Sequence, residues 1–172
     1  SARVAQYSRQ LAEAMGWSKE RVDNLYRVAL LHDVGKVVIP DEILNKRGGL
    51  TEAEYAKMKE HTDIGSAILE EISQFPLIAV GAKCHHERYD GHGYGHQLTG
   101  KEIPLEARII AVADTFDAMN STRVYRPHLT REKILSELEH AKNTQLDGEI
   151  VDVLLRLIAE GKVIIETDDK QL

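Results

Sequence analysis

His32-Asp33-Val34-Gly35-Lys36 ends an apolar helical pattern, and further metal-ligating residues follow it at His61, His85-His86 and Asp114. Imidazole and carboxylate groups suit divalent ions such as iron and manganese, whereas thiolates would favour zinc or an iron–sulfur cluster. The chain has a single cysteine and therefore no thiolate cluster. Taken one at a time, a His beside an Asp is most often a hydrogen-bonded pair. The combination of two vicinal pairs instead predicts a metal site.

The predicted site suits phosphoester chemistry. A carboxylate among histidines can bridge two ions about 4 Å apart, an arrangement that clamps the attacking and leaving oxygens of a phosphoester. Adjacent helical residues point about 100° apart, so Asp33 bridging two ions while His32 holds one is the natural geometry. Lys36 follows closely enough to bind a phosphate as a point charge.

Composition limits the partners of the chain. Its 172 residues are enough for one domain with a proper core. The excess of acidic over basic residues, 28 against 22, favours a small anionic substrate over DNA. Cys84 is expected to be a buried, reduced thiol rather than a ligand. Because no apolar run reaches the length of a membrane span and Ser1 does not open a signal peptide, we expect a cytoplasmic domain, with any membrane segment outside this sequence.

Helical periodicity dominates the sequence and predicts an all-α bundle of about seven helices. The predicted start and stop residues are caps at Ser18 and Thr130, a capping box from Thr51 to Glu54, a helix start at Pro76, and stops at Gly16 and Gly161. One helix is predicted to reach His61 and another to begin near Thr62. Val163-Ile164-Ile165 fits either a short strand or an ordered tail.

Residues 87–103 are predicted to form a functional loop because they hold four of the twelve glycines and no apolar period. Further along, Arg123 and Arg126 can form a forked phosphate clamp, and a solvated basic turn is the alternative. Asp114 and Asp117 share one face of the helix that follows Pro104, and Asp114 is the better ligand candidate.

These motifs resemble the HD phosphohydrolase superfamily. His32-Asp33 is similar to the doublet that names it, and residues 85–94 resemble the signature of its HD-GYP branch. The likeness covers nearly the whole chain, so residues 1–172 are expected to form one HD-type helical domain, truncated at its N-terminal edge. The resemblance implies a bacterial phosphodiesterase that hydrolyses cyclic di-GMP or a related cyclic dinucleotide. It also implies a possible regulatory domain upstream and a diguanylate cyclase-type partner.

Carried over by position, the resemblance implies roles for individual residues. Two or more divalent ions, with iron or manganese favoured, would be held by His32, Asp33, His61, His85, His86 and Asp114. Asp33 and Lys36 would be catalytic, because Asp33 orients the attacking hydroxide and Lys36 contacts the scissile phosphate. The substrate would be bound by Lys36, Tyr94, Arg123 and Arg126.

The sequence departs from the family pattern in two places. Gly95 replaces the proline of Gly-Tyr-Pro, which removes a restraint on Tyr94. A Gly95→Pro change is therefore expected to tighten substrate binding, unless Gly95 has a positive φ that proline cannot reach. The family also has a ligating His just before a segment similar to Ser1-Ala2-Arg3-Val4, and that His is expected immediately before Ser1.

Two other functions compete with the phosphodiesterase hypothesis. The first is an HD-type nucleotidase acting on another phosphoester, which the Gly-Tyr-Gly loop and Arg123-Val124-Tyr125-Arg126 argue against. The second is a catalytically weak sensor or protein-interaction module, which Gly95 and the missing N-terminal ligand favour. Metal analysis and a hydrolysis assay separate the three.

Overall fold

The fold is an α-helical bundle. The computed structural model describes residues 1–72, 76–121 and 129–166, and within these ranges it has eight α-helices, two 3₁₀ turns and no strand. The helices are α1 Ala2–Ala14, α2 Lys19–Leu31, α3 Asp41–Leu44, α4 Glu52–Ile72, α5 Pro76–Cys84, α6 Leu105–Asn120, α7 Arg131–Ala141 and α8 Gly148–Ala159; the 3₁₀ turns are Val34–Val38 and Gly100–Glu102. The predicted all-α class is confirmed. No helix in the described part is long and apolar enough to cross a membrane.

The predicted helix starts are confirmed where a side chain caps the first turn. The hydroxyls of Ser18 and Thr130 accept hydrogen bonds from the backbone N–H groups three residues later. At the start of α4, the Thr51 hydroxyl accepts from the Glu54 N–H, and the Glu54 carboxylate accepts from the Thr51 N–H. These bonds satisfy N–H groups that have no partner within a helix, so they fix where each helix begins.

The predicted break at Thr62 is wrong, because α4 runs without interruption from Glu52 to Ile72. The Thr62 hydroxyl donates to the carbonyl of Lys59, 3.0 Å away and one turn earlier, instead of capping a new helix. A threonine inside a helix commonly satisfies its hydroxyl in this way. His61 therefore lies in the middle of a long, continuous helix.

Helix α6 lies at the centre of the bundle. Its residues Ile109, Val112 and Phe116 are fully buried, and α6 contacts α1, α2, α5, α7 and α8. An ion pair of 2.6 Å between Arg3 and Asp117 ties the start of α1 to the outer face of α6. Burial of these apolar side chains among the neighbouring helices stabilises the bundle.

The segment after α8 is an ordered tail rather than a strand. Val163 and Ile165 are buried in the core, while Ile164 between them is exposed. The buried Asn120 side chain donates to the Ile164 carbonyl and accepts from the Glu166 N–H. One side chain thus replaces the partner strand that an isolated extended segment lacks.

A backbone contact between Gly35 and α4 brings the His32-Asp33 segment against the helix that carries His61. A Cβ atom at Gly35 would lie 1.9 Å from the His61 carbonyl oxygen and 2.6 Å from the Gly65 nitrogen. The contact is tight from the α4 side as well: a Cβ atom at Gly65 would lie 3.1 Å from the Gly35 nitrogen. Only glycine permits backbones to approach this closely.

Replacing Gly35 with alanine should therefore force the segment away from α4. We expect Gly35→Ala to lower the free energy of unfolding by about 3 kcal/mol, measured by urea denaturation. Gly49→Ala is the matched control, because a Cβ there meets nothing within 4 Å; its effect should stay within about 1 kcal/mol. Equal stability of the two variants would contradict the packing described here.

Candidate metal centre

The predicted ligands come together at one place. Asp33, His61, His85 and His86 each offer a ligand atom, and these four atoms lie within 4.8 Å of one another. His32 lies beside them, with its ring centroid 4.8 Å from that of His85. The Asp114 carboxylate is at the edge, with its Oδ1 atom 3.9 Å from His32 Nε2. The structure therefore brings four of the six predicted ligands into one cluster, with His32 beside it and Asp114 at its edge.

The orientation of three histidine rings is set by backbone carbonyls. The Nδ1 atom of His32 is 2.6 Å from the Ala29 oxygen, and that of His61 is 2.6 Å from the Met58 oxygen. His85 Nδ1 is 2.9 Å from the carbonyl oxygen of Ala82. A carbonyl only accepts, so each Nδ1 must carry the proton and donate it. In the neutral form of each ring, Nε2 then carries the lone pair and faces Asp33, which is the usual arrangement around protein-bound metals. Burial lowers the pKa of His32, but its contacts, chiefly with the Asp33 carboxylate, more than offset this, so the pKa of His32 is raised overall.

The two oxygens of Asp33 face different partners. Oδ1 lies 3.6 Å from Nε2 of both His61 and His85. Oδ2 lies 3.4 Å from His32 Nε2 and 2.7 Å from Lys36 Nζ. Ligand atoms that bind one ion at about 2.1 Å are separated by about 3–4 Å. One carboxylate thus has the geometry to bridge a His61–His85–His86 group and a His32–Asp114 group.

Protonation of the cluster follows from burial and mutual contact. Burial would raise the pKa of Asp33, but the contacts with His32 and His85 and the charge of Lys36 hold that pKa well below its usual range. Burial lowers the pKa of His61, and burial with the neighbouring His85 and His61 lowers the pKa of His86 to about 2. His61 and His86 are therefore neutral at pH 7, as metal-binding imidazoles must be.

Two buried atoms show that the cluster fits a cation. Within the described ranges, Asp33 Oδ1 and His32 Nε2 have no hydrogen-bond partner. A buried acceptor without a donor costs about 1–3 kcal/mol, and more when it is charged. Apart from Lys36, which donates to Asp33 Oδ2 at the rim, the cluster presents imidazole nitrogens and carboxylate oxygens, and a divalent ion can bind to such a set. The donor set therefore fits a metal, although it does not distinguish iron from manganese.

Tyr94 packs directly on the cluster. Its ring stacks on His86 with centroids 4.7 Å apart and an interplanar angle of 25°. Its edge meets Tyr55 at 6.0 Å, and burial raises its pKa. Tyr94 therefore lies directly beside the candidate metal ligands, and its role in substrate binding stays a prediction.

Glu87 is a functional candidate that the sequence analysis missed. Its buried carboxylate accepts hydrogen bonds from the backbone N–H groups of His96 and Leu98, and so ties the loop to the His85-His86 pair. On the other side, the N–H groups of Tyr89 and Asp90 donate to the carbonyls of Gln145 and Thr144. A glutamate that follows two histidines carries no local signal for this role, because its partners lie nine and eleven residues away.

Gly95 cannot be replaced by proline in this loop. Its φ is +124°, and a Cβ atom there would lie 2.8 Å from Glu87 Oε1. Proline is locked near φ −65°. The alternative stated for Gly95, a positive φ that proline cannot reach, is therefore confirmed, and the reason to expect tighter binding from Gly95→Pro no longer holds.

The remaining predicted residues have different outcomes. Lys36 lies at the rim of the cluster, paired with Asp33. Cys84 is buried and free, as expected, and burial raises its pKa to about 11. Arg123 and Arg126 lie outside the described residues, so their role as a phosphate clamp stays a prediction.

Comparison with known proteins identifies the family. The HD domain family model matches residues 1–150. The chain belongs to the HD domain family. The chain is 46% identical to the cyclic di-GMP phosphodiesterase response regulator RpfG of Xanthomonas campestris, over 90% of this chain and 41% of that protein. It is 43% identical to a cyclic di-GMP phosphodiesterase of Thermotoga maritima, over 92% of this chain and 44% of that protein.

Other relatives act on a mixed dinucleotide. A 3′3′-cGAMP-specific phosphodiesterase of Vibrio cholerae is 41% identical over 89% of this HD-domain chain and 30% of its own length. The chain thus spans less than half the length of these curated relatives. A solved structure of a cyclic GMP-AMP-specific phosphodiesterase of V. cholerae matches with a TM-score of 0.72 at 19% identity, over 94% of this chain and 44% of that one. An HDG"Y"P protein from Bdellovibrio bacteriovorus matches with the same TM-score at 18% identity, over 92% and 51%. These two structures confirm the HD-type fold.

We expect Gly95→Pro to loosen the loop that carries Tyr94. Proline cannot adopt the backbone angle found there, so the Glu87 hydrogen bonds to His96 and Leu98 should weaken by about 1–3 kcal/mol. Hydrogen exchange of those two amides, followed by NMR, should become at least about fivefold faster. The Arg21 amide, capped by Ser18 elsewhere in the fold, is the internal control. Slower exchange at His96 and Leu98 would show that the loop accepts proline.

Proposed function

We propose that the chain is a metal-dependent phosphodiesterase domain that hydrolyses a cyclic dinucleotide, cyclic di-GMP or 3′3′-cGAMP. The observation that carries the proposal is the Asp33 carboxylate, whose two oxygens face separate groups of nitrogen and oxygen ligands. The names of the curated relatives supply the substrate class. The whole of residues 1–172 is proposed to act as one such domain.

The six predicted ligands are proposed to hold two divalent ions, with iron or manganese favoured by the absence of a thiolate. Oδ1 of Asp33 would serve the ion shared with His61, His85 and His86, and Oδ2 the ion shared with His32 and Asp114. When bound, such ions lower the pKa of water and polarise the oxygens of the scissile phosphate. The carbonyl-anchored rings keep Nε2 aimed at the centre, so the chain supplies a preorganised ligand set.

Residues at the rim are proposed to bind and orient the substrate. The Lys36 ammonium is more than a third exposed and lies beside Asp33, where it can reach a phosphate oxygen and neutralise charge that develops on it. Tyr94 offers an aromatic surface next to His86. Arg123 and Arg126 are proposed to clamp a second phosphate.

The proposal extends to the setting of the domain. With a cyclic dinucleotide as substrate, the domain is proposed to act in bacterial second-messenger signalling in the cytoplasm. Because the relatives are longer than this chain, we propose a regulatory domain upstream, and a diguanylate cyclase-type protein as a partner.

The roles of Asp33 and Lys36 can be separated by substitution. Asp33→Ala removes the oxygens shared by both ligand groups, so we expect metal content to fall by at least half and hydrolysis of cyclic di-GMP to be abolished. Lys36→Ala removes only a cation that competes with metal for Asp33 Oδ2. Metal content should therefore be retained, while kcat falls about 10²-fold because a charge-stabilising donor is lost.

The measurements are metal analysis of each purified protein and initial rates with cyclic di-GMP. The assignment fails if Lys36→Ala lowers metal content as much as Asp33→Ala does. Metal-loaded protein that binds the dinucleotide without turnover would instead establish the sensor function. Turnover of nucleoside monophosphates but not of cyclic dinucleotides would establish the nucleotidase.

A further inference from the structure

A pocket opens beside Tyr94, next to the metal-ligand cluster. It has a volume of about 360 Å³ and lies between α4 and the loop at residues 93–97. Small-molecule sites typically have volumes of about 300–1,000 Å³. Its principal lining side chains are Lys59, Glu60, Asp63, Tyr94 and Gln97.

Tyr94 joins this pocket to the metal centre. Tyr94 lines the pocket, and its ring stacks on His86, with its centroid 6.4 Å from that of His61. The pocket and the ligand cluster therefore share Tyr94 as a neighbour. A phosphodiester held at the cluster can place the adjoining nucleoside in the pocket, because base and phosphate of one nucleotide are separated by little more than a sugar.

The chemistry of the wall favours a base over a second phosphate. Both Asp63 and Glu60 present carboxylates, which repel a phosphate. Glu60 is paired with Lys57 at 2.6 Å. Within the described part of the chain, the ion pair of Asp63 is a loose contact of 3.7 Å with His96, and 70% of the Asp63 side chain is exposed. The Asp63 oxygens are therefore accessible acceptors.

The opposite wall is held in an uncommon conformation. Gln97 has a φ of +54°, which is rare for a residue other than glycine. Such backbone strain persists where the surroundings enforce it, often at ligand-binding segments. Here the N–H of the next residue, Leu98, is held by Glu87, so the Gln97 side chain is presented from a fixed backbone.

We propose that this pocket binds a guanine base of the substrate and that Asp63 determines the base preference; the inference rests on the proposed function. Guanine has N–H donors at N1 and N2 on its Watson–Crick edge, and a carboxylate can accept both. In adenine, N1 carries no proton, so the N1 lone pair would face the Asp63 carboxylate and no hydrogen bond could form there. Tyr94 contributes an aromatic wall for the base, as in other sites that bind unpaired bases.

The test compares substrates that differ in their bases. With the manganese-loaded protein, kcat/KM is measured for cyclic di-GMP, for cyclic di-AMP and for the base-free diester bis(p-nitrophenyl) phosphate. We expect Asp63→Ala to lower the ratio of kcat/KM for cyclic di-GMP over cyclic di-AMP by roughly tenfold or more. Its rate with the base-free diester and its metal content should stay within about twofold of the wild type.

Glu71→Ala is the matched control, because it removes the same charge from an exposed position of the same helix; its substrate ratio should not change. An unchanged ratio in Asp63→Ala, with hydrolysis intact, overturns the inference and leaves the proposed function standing. If wild-type protein hydrolyses neither these three diesters nor 3′3′-cGAMP, the proposed function fails. In that case the pocket is tested by binding: the preference for cyclic di-GMP over cyclic di-AMP, measured from dissociation constants, should again fall by roughly tenfold or more in Asp63→Ala.

Discussion

The contact between the backbones of Gly35 and α4 is the constraint on which the candidate site depends. Asp33 and His61 are far apart in the sequence, and a side chain on Gly35 would collide with the His61 carbonyl. Because the two backbones touch, Asp33 lies under the middle of a long helix instead of at a solvent-exposed helix end. The glycine is thus needed for close approach, and the ligand geometry follows from that approach.

This approach concentrates acceptors in a small buried volume. The Nδ1 atoms of His32, His61 and His85 donate to backbone carbonyls, so in the neutral form of these rings the inward-facing Nε2 atoms carry only lone pairs. A buried carboxylate oxygen without a donor adds to them. In a protein interior such a set is costly unless a cation compensates it. Binding of a divalent metal ion would therefore offset the free-energy cost of holding these buried acceptors close together.

Much of this could be predicted from the sequence because the signals are local. Capping residues such as Ser18 mark helix starts within four positions, and the His32-Asp33 and His85-His86 pairs mark ligands by their own chemistry. The helix break predicted at Thr62 is wrong because a threonine hydroxyl can either cap a new helix or donate to the carbonyl one turn earlier in the same helix. The structure shows that Thr62 does the second. The hydrogen bond that Glu87 accepts from the His96 N–H and the positive φ at Gly95 could not be predicted, because both depend on how the loop folds back on Glu87.

The central proposal is that the two oxygens of Asp33 would each hold a divalent ion. Its most direct test is a crystal structure of the manganese- or iron-loaded protein, with anomalous data collected on both sides of the absorption edge of the metal. The account predicts two anomalous peaks about 4 Å apart, one next to each oxygen of Asp33, between the His61–His85–His86 group and the His32–Asp114 group. A single peak that contacts only one Asp33 oxygen, or peaks remote from Asp33, would contradict it.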